Sequence, residues 1–454
     1  MMPNNNTPQV LITPLKPALI LGHAQKLPVL VRVQAPDSDP AQKKVRKPYH
    51  LSLVIDRSGS MSGEPLMEAV RCAGHIIDRL NATDIASLIV FDDHVNTLVP
   101  ARPVSDRKVL YAALAKIRSG GSTNLYGGWK AGMESLLPAA RNAALARVIL
   151  LSDGNANVGE TEDSNEIAAF CAEATEKGVS TSTYGLGSDF NEALMVEMGK
   201  RGAGNHYYGD TAADLFEPFA EEFDFISSLY ARHVRLSLSA PQGVKITLLN
   251  DYPVEERDGF PLIRLPDIPL GAEAWVLVEL EIPAGLALES GNQFLQAEVT
   301  ATTPEGEPLA FRNESLTLQA MSLPAWDTLL PDPLVLARQA EVAAGSFLDK
   351  ARSAAEQGDW ETIQKMIAEG RTRFADNPWV MEVLEGLAEL ARTMDGARFR
   401  KEAMYTSRKM GSRVSAKDEV LGSTASEAAM PSFLRRKKMQ GKAQFGPRPE
   451  DGPK

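Results

Sequence analysis

The middle of the chain alternates between short apolar runs and stretches in which apolar residues recur every three or four positions. Such runs predict buried strands, and such spacing predicts helices. Strands are expected at residues 51–56, 84–91, 95–99, 148–152, 179–184 and 206–208. Helices are expected at residues 64–80, 105–118, 127–143, 163–177, 190–200 and 212–229. This alternation predicts an α/β domain with a doubly wound, mostly parallel sheet over residues 48–230.

The segments on either side of that domain change to a period of two, which is typical of antiparallel strands. Residues 8–47 hold such strands followed by a polar linker at 36–47, and residues 231–322 hold further strands separated by Pro- and Gly-containing turns. We interpret the two segments as parts of one antiparallel β-sandwich, into which the α/β domain is inserted.

The C-terminal part of the chain returns to helical spacing. Residues 332–411 predict a small helical domain, either a tetratricopeptide-like helical hairpin or a plain bundle that packs on the sandwich. Residues 412–454 are polar and include the basic run 435–438, so we expect a disordered basic tail.

Composition narrows the possible functions. The 454-residue chain is 44% apolar and carries a formal net charge of −11, which argues against a general nucleic-acid binder. Its two cysteines do not suggest a disulfide framework. The first residues lack a basic secretion signal, and no apolar run reaches the ~20 residues of a membrane helix. We therefore expect a cytoplasmic protein without a membrane span.

Oxygen-bearing side chains lie in three separate loops of the predicted α/β domain. Asp56, Ser58 and Ser60 lie two residues apart after the first strand, Thr123 lies in a glycine-rich loop before a helix, and Asp153 ends a later strand. Such a set suits a hard divalent cation, and the ends of parallel strands meet at one sheet edge. The alternative is that the serines only cap the next helix.

This combination resembles a von Willebrand factor type A (VWA) domain with a metal-ion-dependent adhesion site, over roughly residues 48–228. The resemblance implies Mg²⁺, with Mn²⁺ or Ca²⁺ as alternatives. It further implies that Ser58, Ser60 and Thr123 bind the ion directly, whereas Asp56 and Asp153 act through water. Some bacterial intracellular VWA proteins and the inter-α-trypsin-inhibitor heavy chains resemble the whole arrangement.

The interpretation that follows is a metal-dependent module that captures an Asp or Glu carboxylate of a protein partner and acts as a scaffold or adaptor in a multiprotein assembly. One alternative is a Mg²⁺- or Mn²⁺-dependent hydrolase. Another is a metal-independent scaffold that works with an AAA+ ATPase, a kinase or a phosphatase. No catalytic residue is assigned, because no nucleophile–histidine–acid pattern or phosphate-binding loop is found. Asp92 and Asp93 are expected to be solvated, with a supporting role near the metal as the alternative.

Overall fold

The computed structural model describes residues 7–37, 48–142, 145–186, 191–209, 225–226, 228–257, 260–286, 293–411 and 414–417. The chain divides into two compact units, of which the first comprises residues 1–39, 229–302 and 308–454. The second comprises residues 40–228 with the short segment 303–307, and we call it the α/β unit. The linker at 36–47 and the helix at 212–229 lie largely outside the described residues. The expected disordered tail at 412–454 also lies largely outside them, but it is wrong for Val414–Ala416, which form a strand that pairs with an earlier strand of the first unit.

The described residues form the following elements. The strands are β1 (Gln9–Pro14), β2 (Ala18–Ile20), β3 (Gln25–Gln34), β4 (Tyr49–Asp56), β5 (Ile85–Phe91), β6 (Val95–Pro103), β7 (Leu145–Ser152), β8 (Val179–Leu186), β9 (His206–Gly209), β10 (Leu229–Ser239), β11 (Lys245–Leu248), β12 (Val254–Arg257), β13 (Phe260–Arg264), β14 (Ile268–Pro269), β15 (Ala272–Ile282), β16 (Gln293–Thr302), β17 (Pro308–Ala310), β18 (Glu314–Thr317), β19 (Gln319–Met321) and β20 (Val414–Ala416). The helices are α1 (Glu64–Arg79), α2 (Arg107–Leu114), α3 (Leu125–Leu136), α4 (Ser164–Glu176), α5 (Glu192–Arg201), α6 (Leu323–Asp327), α7 (Pro333–Glu356), α8 (Trp360–Arg373), α9 (Pro378–Thr393) and α10 (Gly396–Gly411).

The α/β unit contains a six-stranded sheet in the order β6-β5-β4-β7-β8-β9. All neighbours are parallel except β5 and β6, which are antiparallel. The doubly wound sheet expected from the sequence is confirmed. The chain moves from β4 to β5 on one side and later to β7 on the other, so the strand order reverses at β4. Ligands of open α/β sheets bind at the carboxyl ends of the strands where this reversal occurs.

One face of this sheet packs against α3, α4 and α5. Val54, Phe91 and Leu150 project from the strands onto Trp129 of α3 and Ile167 of α4 in one buried apolar cluster. The helices must approach the strands closely, because a Cβ on Gly132 of α3 would lie 2.5 Å from Cγ2 of Val54. The cluster anchors α3, and α3 in turn fixes the loop that precedes it.

The first unit contains two mainly antiparallel sheets, β1-β3-β15-β11 with β20 and β12-β13-β10-β16-β17 with β14 and β18. Val31 of β3 lies opposite Val276 of β15, so a strand that precedes the α/β unit pairs with one that follows it. The predicted insertion of an α/β domain into a β-sandwich is confirmed by this pairing and by the two-unit division.

Three details of the first unit differ from the sequence expectation. The segment at residues 231–322 was expected to be antiparallel, but it contains one parallel pair, because β19 pairs in parallel with β2. Leu229, expected in a helix, begins β10. Strand β3 is buried on both faces along most of its length, because Leu30 on its second face packs with Trp275 and Val335 of α7. Because of that second contact, Leu30 is apolar although it lies between Val29 and Val31 of the opposite face, so the alternation along this strand is incomplete.

A buried ionic network joins α7 to the sandwich. Arg338 donates to Glu341 at 2.8 Å and to the Ser415 hydroxyl at 3.1 Å, and it lies 3.6 Å from Glu273. Its guanidinium carbon is 4.7 Å from the ring centroid of Trp275. Removing one member of such a buried network leaves a charge without its partners, so these residues fix where α7 and β20 lie on the sheet.

Replacing Gly132 by Ala should lower the free energy of unfolding by about 1–3 kcal/mol, because the new methyl group collides with Val54. Gly74 of α1 is the matched control, since its Cβ would lie 3.5 Å from Cε1 of Tyr111, an ordinary contact. Gly74→Ala should raise the free energy of unfolding by up to about 1 kcal/mol. Urea denaturation measures both, and equal effects of the two substitutions would contradict the packing described here.

Candidate functional site

The five oxygen-bearing residues singled out in the sequence lie at the carboxyl edge of the α/β sheet. Asp56 ends β4, and Asp153 directly follows β7, its neighbour in the sheet. Ser58 precedes a single 3₁₀ turn that contains Ser60, and Thr123 lies two residues before the start of α3. The strand-order reversal at β4 therefore brings residues from three separate loops to one edge.

Asp56 is fully buried, and its carboxylate is held by two donors. One oxygen accepts from the Ser58 backbone N–H at 2.8 Å, and the other accepts from the Ser152 hydroxyl at 2.6 Å. Burial raises the pKa of Asp56 to about 6, against the lowering effect of these hydrogen bonds, and the negative charge of Asp153 raises the pKa further. The two carboxylates are thus close enough to repel each other.

Among the described residues, neither carboxylate is paired with a basic side chain. Asp56 and Asp153 are 0% and 5% exposed, and neither forms an ion pair within the described part of the chain. Asp153 instead accepts from the Asn155 backbone N–H at 3.1 Å. Buried charges in proteins are normally paired or bound to a metal ion. Two buried carboxylates together with hydroxyl oxygens form a donor set that fits a hard divalent cation.

The first and second loops are joined through their backbones. The Gly59 N–H donates to the Gly121 carbonyl at 2.8 Å, and the Gly120 N–H donates to the Arg57 carbonyl at 2.6 Å. Within the first loop, the hydroxyls of Ser58 and Ser60 lie 3.2 Å apart. These bonds hold the segment that carries both serines against the glycine-rich loop that leads to Thr123.

The second and third loops are joined by Asn157. Its side-chain oxygen accepts from the Thr123 N–H at 2.7 Å, and its own N–H donates to the Thr123 carbonyl at 3.1 Å. Thr123 is 2% exposed. Its neighbour Asn124 caps α3 by accepting from the Gly127 N–H at 2.9 Å. Thr123 is therefore fixed from both sides, by the helix that follows it and by the third loop.

The capping explanation for the serines is wrong. Helix α1 has Gly63 as its N-cap residue and no side-chain cap, and Ser58 at the start of the 3₁₀ turn makes no side-chain capping bond either. The serine hydroxyls are directed to each other rather than to the helix amides.

The expectation that Asp92 is solvated is also wrong. Asp92 is 5% exposed, and its carboxylate lies 2.9 Å from the Arg57 guanidinium. Asp93 is exposed, as expected, and lies 3.0 Å from the exposed His94. Ligand atoms of Asp92, Asp93 and His94 come within 4.8 Å of one another, but Asp92 is already paired with Arg57.

Two residues that position the site were not singled out from the sequence. Ser152, which holds Asp56, directly precedes Asp153, and its place at the end of β7 beside β4 is the signal that could have identified it. Asn157, which holds Thr123, lies in a polar loop among several similar residues and gives no such signal.

The fold and site define a doubly wound α/β domain that carries an oxygen-rich site at its strand-order reversal. Residues 50–221 match the family model of the von Willebrand factor type A domain, and the chain therefore contains a VWA domain. Domains of this family typically act as protein-interaction modules. Among the described residues, no helix is long and apolar enough to cross a membrane.

This chain is also similar to other proteins, and for some of them the likeness extends beyond that domain. The protein sll0103 of Synechocystis sp. is 24% identical over 56% of this chain and 61% of its own length. The inter-α-trypsin inhibitor heavy chain H2 of Sus scrofa is 32% identical over 37% of this chain and 19% of its own length. The match with this chain thus spans less than two thirds of the length of either relative. A solved structure, a von Willebrand factor type A protein from Catenulispora acidiphila, covers 91% of this chain and 98% of its own with a TM-score of 0.68 at 15% identity, which shows a shared fold.

Replacing Asn157 by Leu should speed amide hydrogen exchange at Thr123, because the Thr123 N–H loses the side-chain oxygen that accepts from it. Asn157→Asp keeps an acceptor oxygen and serves as the control. We expect Thr123 exchange to be about tenfold faster in the Leu variant and little changed in the Asp variant, as measured by NMR. Equal exchange in both variants would mean that Asn157 does not hold the loop.

Proposed function

We propose that the VWA domain is a metal-dependent protein-binding module. A divalent cation, Mg²⁺ or alternatively Mn²⁺ or Ca²⁺, would be held by the Ser58, Ser60 and Thr123 hydroxyls, with Asp56 and Asp153 acting through water. When bound, such an ion supplies a Lewis-acidic position for a carboxylate oxygen of an Asp or Glu on a partner.

The observation that carries this proposal is the pair of buried carboxylates without a counter-ion among the described residues. Hydrogen bonds from Ser152 and Ser58 offset only part of the free-energy cost of burying the charge of Asp56, as its raised pKa indicates. A divalent ion would neutralise both carboxylates at once. Neutral hydroxyls as its direct ligands would leave the ion able to attract a further anionic oxygen, which is the chemistry needed to capture an acidic side chain.

A scaffold or adaptor role is the biological setting that we propose for this module. The first unit offers helices α7 to α10 on the sandwich, and exposed helical surfaces are common docking sites for other proteins. An AAA+ ATPase, kinase or phosphatase as the docked partner stays a prediction, as does a cytoplasmic location. No described residue set favours the hydrolase alternative, and the half-buried His206 ring lies 2.9 Å from the Thr183 hydroxyl.

Asp153→Asn should weaken Mg²⁺ or Mn²⁺ binding at least about tenfold, because it removes one of the two buried charges that attract the ion. Asp93→Asn is the matched control, since Asp93 is an exposed carboxylate at the same sheet edge. Its effect should stay below about twofold. Isothermal titration calorimetry on the full chain measures both, and equal affinities for the two variants would reject the proposed metal site.

Partner capture tests the second half of the proposal. Affinity purification should retain the partner with wild-type protein and Mg²⁺, and lose it with a chelator, with Asp56→Ala or with Ser58→Ala/Ser60→Ala. Far-ultraviolet circular dichroism of each variant checks that the sheet remains folded. Capture that survives both chelation and substitution would reject metal dependence and favour the metal-independent scaffold.

A further inference from the structure

The residue between Asp56 and the proposed ligand Ser58 is an arginine. A full positive charge at position 57 opposes the binding of a divalent cation nearby and favours the binding of an anion. The Arg57 side chain is 25% exposed and lies 2.9 Å from Asp92, whose side chain is 6% exposed. The pair is therefore partly shielded from water. Partly buried charges are screened less than exposed ones, so they act on each other more strongly.

Asp92 is itself held in place for this pairing. One of its carboxylate oxygens accepts from the His94 backbone N–H at 2.8 Å, and its carbonyl accepts from the Asn124 N–H at 2.7 Å. Asp92 thus connects the β5–β6 turn to the residue that follows Thr123. The contact with Arg57 extends this connection to the loop that carries Ser58.

Gly120 makes the space that the pair needs. A Cβ at this position would lie 1.8 Å from Oδ2 of Asp92, which no side chain could tolerate without moving the carboxylate. The Gly120 N–H meanwhile donates to the Arg57 carbonyl at 2.6 Å. The glycine-rich loop therefore encloses the ion pair from one side and bonds to the backbone of the arginine itself.

We propose that Asp92 is a positioning residue that neutralises Arg57 and so sets the balance between metal affinity and carboxylate affinity at the VWA site. The inference rests on the proposed function. With Asp92 charged, Arg57 adds no net charge beside the ion. Without that charge, Arg57 repels the metal and attracts the incoming carboxylate, so the two affinities change in opposite directions.

Asp92→Asn keeps the shape of the side chain and removes its charge. We expect Mn²⁺ affinity to fall about three- to tenfold, and acetate affinity of the Mn²⁺-saturated protein to rise by a similar factor. Arg57→Gln should do the reverse, and Arg57→Gln/Asp92→Asn should return both affinities to within about twofold of wild type. Calorimetry measures Mn²⁺ binding, and water-proton relaxation of bound Mn²⁺ measures the displacement of water by acetate.

Opposite changes in the Mn²⁺ affinity and the acetate affinity distinguish this role from a merely structural one. Loss of loop structure would lower both affinities and would not be rescued by a second substitution. Asp93→Asn removes an exposed charge from the same turn and should change neither affinity more than about twofold. If wild-type protein binds Mn²⁺ but Asp92→Asn leaves both affinities unchanged, or lowers both, the positioning role is overturned and the metal site stands. If wild-type protein binds no Mn²⁺, the proposed function itself fails.

Discussion

The main constraint on the α/β unit is the burial of two carboxylates at one edge of its sheet, without a basic partner among the described residues. Asp56 accepts two hydrogen bonds, and still its pKa lies near 6 because it is removed from water beside Asp153. Burial of such charges opposes folding, so the surrounding structure must compensate. It does so through the apolar cluster beneath α3 and through the hydrogen bonds that join the three loops. These same features make the edge rigid enough to present oxygens at fixed positions.

The sequence predicted the architecture well because local patterns determine it. Apolar runs that end at Asp56 and Asp153 mark strand ends, and helical spacing between them implies parallel crossovers. The supporting contacts could not be predicted in the same way. Asp92 pairs with Arg57, 35 positions earlier in the chain, and Asn157 bonds to Thr123 across 34 positions. Such partners are set by which loops the fold brings together, and no local spacing encodes that.

The first unit shows where periodicity misleads. A strand with both faces covered loses its clean alternation, as β3 does beneath α7. A continuous alternating stretch can be divided between two sheets, as happens at residues 314–321, where β18 pairs with β16 and β19 pairs with β2. The buried charges of this unit follow a different rule from those of the VWA site. Arg338 and Glu273 are paired and need no ion, which suits a structural junction. Charge is thus buried with an ionic partner in the first unit, whereas Asp56 and Asp153 are buried without one among the described residues.

One of the two outer strands of the α/β sheet, β6, has a consequence for assembly. Strand β6 contains Pro100 and Pro103, and its pairing with β5 is interrupted by two register shifts. Prolines and irregular backbone remove the continuous row of amides that a neighbouring chain would need to extend the sheet. Edge-to-edge polymerisation through this strand is therefore disfavoured.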